Sequence, residues 1–316
     1  MKSFDEKRLD TGEVELNYAV GPDNGPALLL IPGQAADWST YEKVLLPLSR
    51  KFQVFAVDIR GHGKSSWTTG DYSFKTIGAD MTAFLEKAVK RKAIVSGHSS
   101  GGLIALWLAA YRPELVEGII MEDPPLFSAE WPRIKEDSEV YKVLEVAVEM
   151  SKALRESRSV KGLAREFMKI KRPLKSGKIR KVPASAAYFL SFMIRASQRF
   201  RSGRPSLPGR LGRITSLLTN FDSDFSQAFL DGRIYEGLDH AKALKMAQCP
   251  MLLVHANWFR HSDFGLVGAM DDSDATRAQE LAPRMQYRRI DSEHGIHSQQ
   301  PEAFVKEIEE FAAHLS

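Results

Sequence analysis

The chain has one cysteine, Cys249, in 316 residues. That excludes an intrachain disulfide and any metal centre built on several thiolates. Standing before Pro250 at the expected start of a strand, Cys249 fits the role of a small buried residue. No run of about eighteen apolar residues occurs, so no membrane-spanning helix is expected. Met1 to Arg8 holds no apolar core of the kind secretion requires, which makes a cytoplasmic protein the expectation. Acidic residues are scarce in one segment. Between Ser151 and Arg213 only Glu156 and Glu166 stand against eighteen Lys and Arg, a local charge of +16 that leaves −12 elsewhere in a chain of net charge +4. Such a segment can attract anionic ligands, a membrane surface or nucleic acid, and it is also how a solvated helical face looks. No nucleic-acid-binding motif accompanies it, so no nucleic-acid partner is expected.

What is present is ordinary for a globular protein, with 43% apolar and 27% charged residues. Val14 to Val20 alternates at period two and predicts a half-buried strand, followed by a turn cluster, Gly21 to Pro26, that would suit a hairpin. Ala27 to Ile31, Phe52 to Val57, Ile94 to Gly97 and Val116 to Met121 read as buried strands. Helices are expected near Tyr41 to Leu48, Ile77 to Lys90 and Leu103 to Tyr111. The alternation implies a parallel sheet with helices on both faces. It stops between Leu126 and Ala247, where spacing is helical and strand signals are poor. Arg201 to Arg213 reads as a loop, and Tyr188 to Ile194 as a helix apolar nearly all round, suited to a core or to the roof of a pocket. The pattern resumes at Met251 to His255, continues through a helix near Ser273 to Leu281 and a strand at Gln286 to Ile290, and ends in a helix from Pro301 to Ala313. The expected division is therefore one sheet domain in two parts, 1–125 and 248–316, with a helical insertion at 126–247.

The chain is organised around Ile94-Val95-Ser96-Gly97-His98-Ser99-Ser100-Gly101-Gly102. A strand ends, turns through serine and enters a helix, which gives G-x-S-x-G its meaning. Ser99 at the apex needs a strained backbone with positive φ, and Gly97 and Gly101 leave room where strand and helix converge. A hydroxyl becomes a nucleophile only when a base takes its proton, and that base needs an orienting acid. Of eight histidines, His294 is the candidate base. It lies in the loop Asp291 to His297 after the last strand, and chemistry in an open α/β sheet gathers at the carboxyl ends of strands. His297 is a second candidate or a loop hydrogen-bonder.

These features together, Pro32-Gly33-Gln34, Asp58-x-Arg60-Gly61-x-Gly63-x-Ser65, Gly97-x-Ser99-x-Gly101 and His294 before Pro301, resemble the α/β-hydrolase fold over nearly the whole chain. The resemblance implies an oxyanion hole of backbone N–H groups from Ser100 and the Gly33–Gln34 loop, and structural roles for Asp58 and Arg60. It leaves the acid open. Most relatives carry it after the penultimate strand in a G-x-x-D loop. Here Asp263 comes several residues late, and Gly268-x-x-Asp271 has the right letters at the mouth of a helix. A minority place it after the strand that follows the nucleophile's helix, where this chain has Glu122 and Asp123. Asp123, 24 residues beyond Ser99, is spaced as in haloalkane dehalogenases and zearalenone lactone hydrolases. The expected triad is Ser99, His294 and Asp123. The expected chemistry, without metal or cofactor, is hydrolysis of an ester or lactone of a small to medium hydrophobic molecule. Amide or C–C hydrolysis, perhydrolysis, and a low-turnover ligand receptor are the rivals. Dehalogenase and epoxide-hydrolase relatives carry aspartate where this chain has Ser99.

Overall fold

The computed structural model describes residues 4–156, 159–200 and 220–315. The expected loop Arg201 to Arg213 and part of the basic segment lie outside them. In chain order the first half gives β1 (Asp5–Asp10), β2 (Glu15–Val20), β3 (Ala27–Ile31), α1 (Glu42–Leu48), β4 (Gln53–Val57), α2 (Phe74–Phe84), β5 (Ala93–His98), α3 (Ser100–Tyr111) and β6 (Val116–Glu122). The middle gives α4 (Arg133–Glu136), α5 (Glu139–Glu156), α6 (Val160–Lys169), a short hairpin β7 (Lys171–Pro173) and β8 (Ile179–Lys181), α7 (Ala184–Phe200), α8 (Ser223–Asp231) and α9 (His240–Met246). The end gives β9 (Met251–His255), a second hairpin β10 (Phe259–His261) and β11 (Gly265–Val267), α10 (Asp272–Leu281), β12 (Gln286–Arg289), α11 (Ile296–Gln299) and α12 (Pro301–Ala313).

Eight strands form one sheet in the order β1-β2-β4-β3-β5-β6-β9-β12. It is parallel from β4 to β12, with an antiparallel edge at β1 and β2. The buried strands read as continuous apolar runs because both faces are covered. In β3, Ala27, Leu29 and Ile31 enter the core under α2 and α3, while Leu28 and Leu30 enter the core under α1 and α12. Each fully buried leucine contributes about 1.5–3 kcal/mol relative to exposure. Because β3, β4, β5, β6, β9 and β12 are parallel, their carboxyl ends all lie at one edge.

Three expectations are corrected here. The turn Gly21 to Pro26 does not close a hairpin: β2 pairs with β1 and β4, and the chain crosses over β4 to reach β3. Edge strand β1, Asp-Glu-Lys-Arg-Leu-Asp, has almost no buried residue and hence no apolar alternation to read; backbone pairing with β2 holds it. The α7 segment is not core all round. Ala187 and Ile194 pack into a separate apolar cluster with Leu163 and Phe167, while Tyr188, Phe189 and Phe192 stand 41%, 56% and 59% exposed on its other side. Cys249 is only partly buried, and the desolvation it does suffer pushes its thiol up to about 11.

Candidate active site

The turn after β5 carries Ser99 at φ 55° and ψ −121°, a combination that L-residues avoid. Local crowding explains the flanking glycines. A Cβ on Gly97 would lie 2.0 Å from the Gly101 carbonyl oxygen, and one on Gly101 would lie 2.3 Å from that of Ile31. The strained serine is pinned by its own N–H, which donates to the Glu122 carbonyl at 2.8 Å, and by its carbonyl, which accepts from the Gly102 N–H at 2.9 Å. Ser100 opens α3, whose first N–H groups have no acceptor within the helix and carry the positive end of its dipole.

Register then delivers the candidate acid. His98 pairs with Glu122 across β5 and β6, and Glu122 pairs with Val254 across β6 and β9, so Ser99 and Asp123 leave neighbouring strands at one level. Asp123 is also at positive φ, 43°, and is buried. Its N–H donates to the Val254 carbonyl at 2.7 Å, and its Oδ1 accepts from the Ala256 N–H at 3.0 Å. Its other oxygen, Oδ2, lies 2.7 Å from His294 Nδ1. That bond fixes the imidazole: Nδ1 faces the carboxylate, and Nε2 is the nitrogen turned away from it. Burial pushes the His294 pKa down, but the hydrogen bond and charge of Asp123, with the charge of Glu122, outweigh it and raise the pKa above the ordinary imidazole value.

Of the other candidate acids, Asp271 caps α10, accepting from the Ser273 and Asp274 N–H groups at 3.0 Å each and pairing with Arg133 and Arg260. These partners, with burial opposing them, hold it at about 2. Asp263 is exposed in the turn of the β10–β11 hairpin. Neither is brought to His294. Asp58 accepts from Asn17, Trp38 and Lys64, and Arg60 grips Asp80 through two nitrogens at 2.5 and 2.7 Å.

A cavity of about 570 Å³ reaches Ser99, Ser100, Gln34 and His294, walled by Pro125, Ala129, Val140, Phe229, Phe259 and Val267. Arg172, Lys175, Glu139 and Glu293 supply charge to it. A second, of about 1000 Å³, reaches Ser99, His294, Gly33 and Gln34 from the α5 side. The Gln34 side chain is tied to Ser226 on α8 at 2.6 Å, which links its loop to the inserted helices.

Behind the loop lies a cluster that the letters of the sequence leave unassembled. His297 donates its N–H to Glu122 Oε1 at 2.9 Å, and its Nδ1 lies 2.9 Å from both Glu122 oxygens. Its Nε2 is 3.0 Å from Thr40 Oγ1. His98 Nε2 is 3.0 Å from the His294 carbonyl oxygen and therefore donates to it. Among the described residues, His98, Glu122 and His297 also converge as a possible metal-ligand group, with donor atoms within 4.8 Å of one another. Their hydrogen bonds already engage both Glu122 oxygens and His98 Nε2.

A family model described as the alpha/beta hydrolase fold matches residues 26–161, the stretch carrying the Ser99 turn and Asp123. The whole chain superposes on the enol-lactonase from Burkholderia xenovorans LB400 with a TM-score of 0.66, over 97% of this chain and 100% of that one. This protein has the α/β-hydrolase fold. At 17% identity that superposition is a likeness of fold alone. In sequence, the chain is 33% identical over 114 residues to 3-oxoadipate enol-lactonase 2 of Acinetobacter baylyi, covering 36% of this chain. It is 30% identical over 120 residues to 2-(acetamidomethylene)succinate hydrolase of Mesorhizobium japonicum, covering 38% of this chain. In each case the chain spans 43% of the relative's length. Among the described residues no helix is long and apolar enough to cross a membrane.

Proposed function

We propose that this protein is a serine hydrolase that cleaves a carboxylic ester or lactone of a small to medium hydrophobic molecule through an acyl-enzyme on Ser99. The observation carrying this reading is the 2.7 Å contact of His294 Nδ1 with buried Asp123, in a cavity that also holds Ser99 at the head of α3. In this mechanism Ser99 Oγ attacks the carbonyl carbon and its proton passes to His294 Nε2. The oxyanion accepts from the backbone N–H groups of Ser100 and of the Gly33–Gln34 loop. The leaving alkoxide takes the proton from His294, and in a lactone it stays tethered to the acyl group. Water, deprotonated by the same nitrogen, then attacks the ester and frees Ser99. Asp123 holds the tautomer and stabilises the imidazolium without itself taking the proton.

Residues 126–247 act as the cap in this reading. Val140 and Phe229 from it face the reacting edge, and a cavity of about 570 Å³ falls in the range of small-molecule sites. The relative named as a 2-(acetamidomethylene)succinate hydrolase favours a second reading, in which the same serine opens an amide-type acyl bond. Turnover of a panel of p-nitrophenyl esters, lactones and amides, beside Ser99→Ala and a fluorophosphonate label, tests both. Ester or lactone turnover lost in Ser99→Ala supports the proposal. Undiminished labelling of Ser99→Ala removes the nucleophile, and turnover confined to amides selects the second reading.

A further inference from the structure

We infer that His98, half-buried, and Glu122 and His297, both buried, form a clamp that positions His294, and that each is a positioning residue for the reaction. The inference rests on the reading of His294 as the base. Each member adjoins a member of the proposed triad in sequence: His98 precedes Ser99, Glu122 precedes Asp123, and His297 follows His294 by three residues. The clamp therefore joins the ends of β5 and β6 to the loop after β12 from behind the reacting edge.

Its energetics argue for a role beyond filling space. Glu122 is wholly buried and His297 nearly so. A carboxylate in that position costs several kcal/mol unless paired, and an apolar pair would fill the volume as well. Here burial acts to raise the Glu122 pKa, but the neighbouring His297, through its charge and the bonds from its ring and N–H, outweighs it and keeps the carboxyl below its ordinary range. The pair fixes the first turn of α11, because the His297 backbone N–H is one of its ligands. Thr40 serves as either donor or acceptor to His297 Nε2, which ties α11 to the segment following the Gly33–Gln34 loop. His98 grips the other side. Burial drives its ring down to about 3 and so keeps it neutral; one ring nitrogen then carries the proton donated to the His294 carbonyl. Its ring lies 4.5 Å from that of His294 and 5.0 Å from that of His297, centre to centre. Backbone at His294 and three residues beyond it is held by side chains of the clamp.

Charge gives the clamp a signature that simple packing lacks. The charged groups acting on His294 are Asp123, in contact, and Glu122, behind it. Both favour the imidazolium. His98 beside it is neutral, and Glu293, next in the chain, is exposed and paired with Arg172. Removing the Glu122 charge in an isosteric side chain should therefore lower the pH at which His294 gains its proton.

The test is the rate of Ser99 labelling by a fluorophosphonate as a function of pH, which needs no identified substrate. His294→Ala is labelled alongside, and loss of labelling there secures the base. Glu122→Gln is expected to label roughly ten- to a hundredfold more slowly at its plateau, as for a base displaced by a fraction of an ångström. Its acid limb should shift to lower pH, while Glu122→Asp, which keeps the charge, should retain the wild-type limb. His98→Asn, which perturbs no buried charge, should also slow labelling, and it decides the matter if Glu122→Gln does not fold. Wild-type rates in His98→Asn, or a folded Glu122→Gln with wild-type rate and limb, overturn the clamp and leave the base intact. Full labelling of His294→Ala overturns the base reading instead.

Discussion

Replacing Asp123 with asparagine is the sharpest test of the proposed triad, because the surrounding bonds dictate how the amide must sit. The Ala256 N–H donates to Oδ1 at 3.0 Å, so the asparagine carbonyl has to occupy that position. The opposite orientation would set two donors against each other. The amide NH2 then faces His294 Nδ1, where a carboxylate oxygen lies at 2.7 Å in the wild type. To meet a donor, Nδ1 must give up its proton, and neutral imidazole then carries the proton on Nε2. That nitrogen can no longer accept from Ser99. The loss is one of tautomer, with little change of shape, and triads so altered fall by about 10⁴ in kcat, or roughly 5.5 kcal/mol of transition-state stabilisation. The assay is steady-state hydrolysis of a short p-nitrophenyl ester, with the melting temperature as a control for folding. KM should change little. A variant retaining more than about a tenth of wild-type kcat would refute the argument, because no positioned carboxylate would then be needed at Nδ1.

Asp271→Ala separates the acid from its look-alike. It should leave kcat unchanged while losing about 1 kcal/mol of stability from the α10 cap, visible as a lower melting temperature. A collapse of kcat there would return the acid to the later loop. Ser99→Gly should be inactive yet at least as stable as the wild type, since releasing a residue held at φ 55° recovers about 1–3 kcal/mol against a smaller entropic cost in the unfolded chain. Thermal unfolding checks it, and a clear loss of stability contradicts strain at the turn. The pH profile of kcat/KM follows from the net raised pKa of His294. The base works only when neutral, so activity should fall on acidification with a midpoint above the ordinary imidazole value of about 6.5. In residual-activity measurements on Asp123→Asn, where that raising bond and charge are gone, the midpoint should move down.

The turn that carries the proposed nucleophile is legible in the letters because geometry restricts them. A turn that tight tolerates only glycine where a Cβ would lie 2.0 Å from a carbonyl oxygen, so Gly97 and Gly101 announce Ser99. The proposed base is legible by position, in the loop after the last strand. The acid was ambiguous because two kinds of physics call for aspartate. Helix capping asks for it at Asp271, where two N–H groups need an acceptor, and catalysis asks for it beside an imidazole. Only the register of β5, β6 and β9 separates them. Edge strand β1 and the hairpins β7–β8 and β10–β11 left no pattern. The first is almost entirely exposed, and the others are three residues a side, too short for alternation to register. The aromatic run in α7 misled because its apolar residues face both inward and outward.

Backbone strain at the reacting edge is the feature least accessible from sequence, and it bears on why the site is built from two adjacent strands. Among the described residues five non-glycines have positive φ, and three of them, Ala35, Ser99 and Asp123, stand at the Gln34 loop, the proposed nucleophile and the proposed acid. Nothing in the letters of alanine or aspartate announces a left-handed conformation. Such conformations persist only where surrounding bonds over-determine them. For Ser99 the constraint comes from Glu122, whose carbonyl takes the serine N–H. For Asp123 it comes from Val254 and Ala256, which bond its backbone and its side chain. Each strained residue is thus held by the next strand of a parallel sheet. The same register that sets Ser99 and Asp123 at one level supplies the bonds that stabilise their geometry. An acid at the end of β6 uses this arrangement directly, whereas Asp271, beyond the β10–β11 hairpin, is held as the cap of α10 and not by a neighbouring strand.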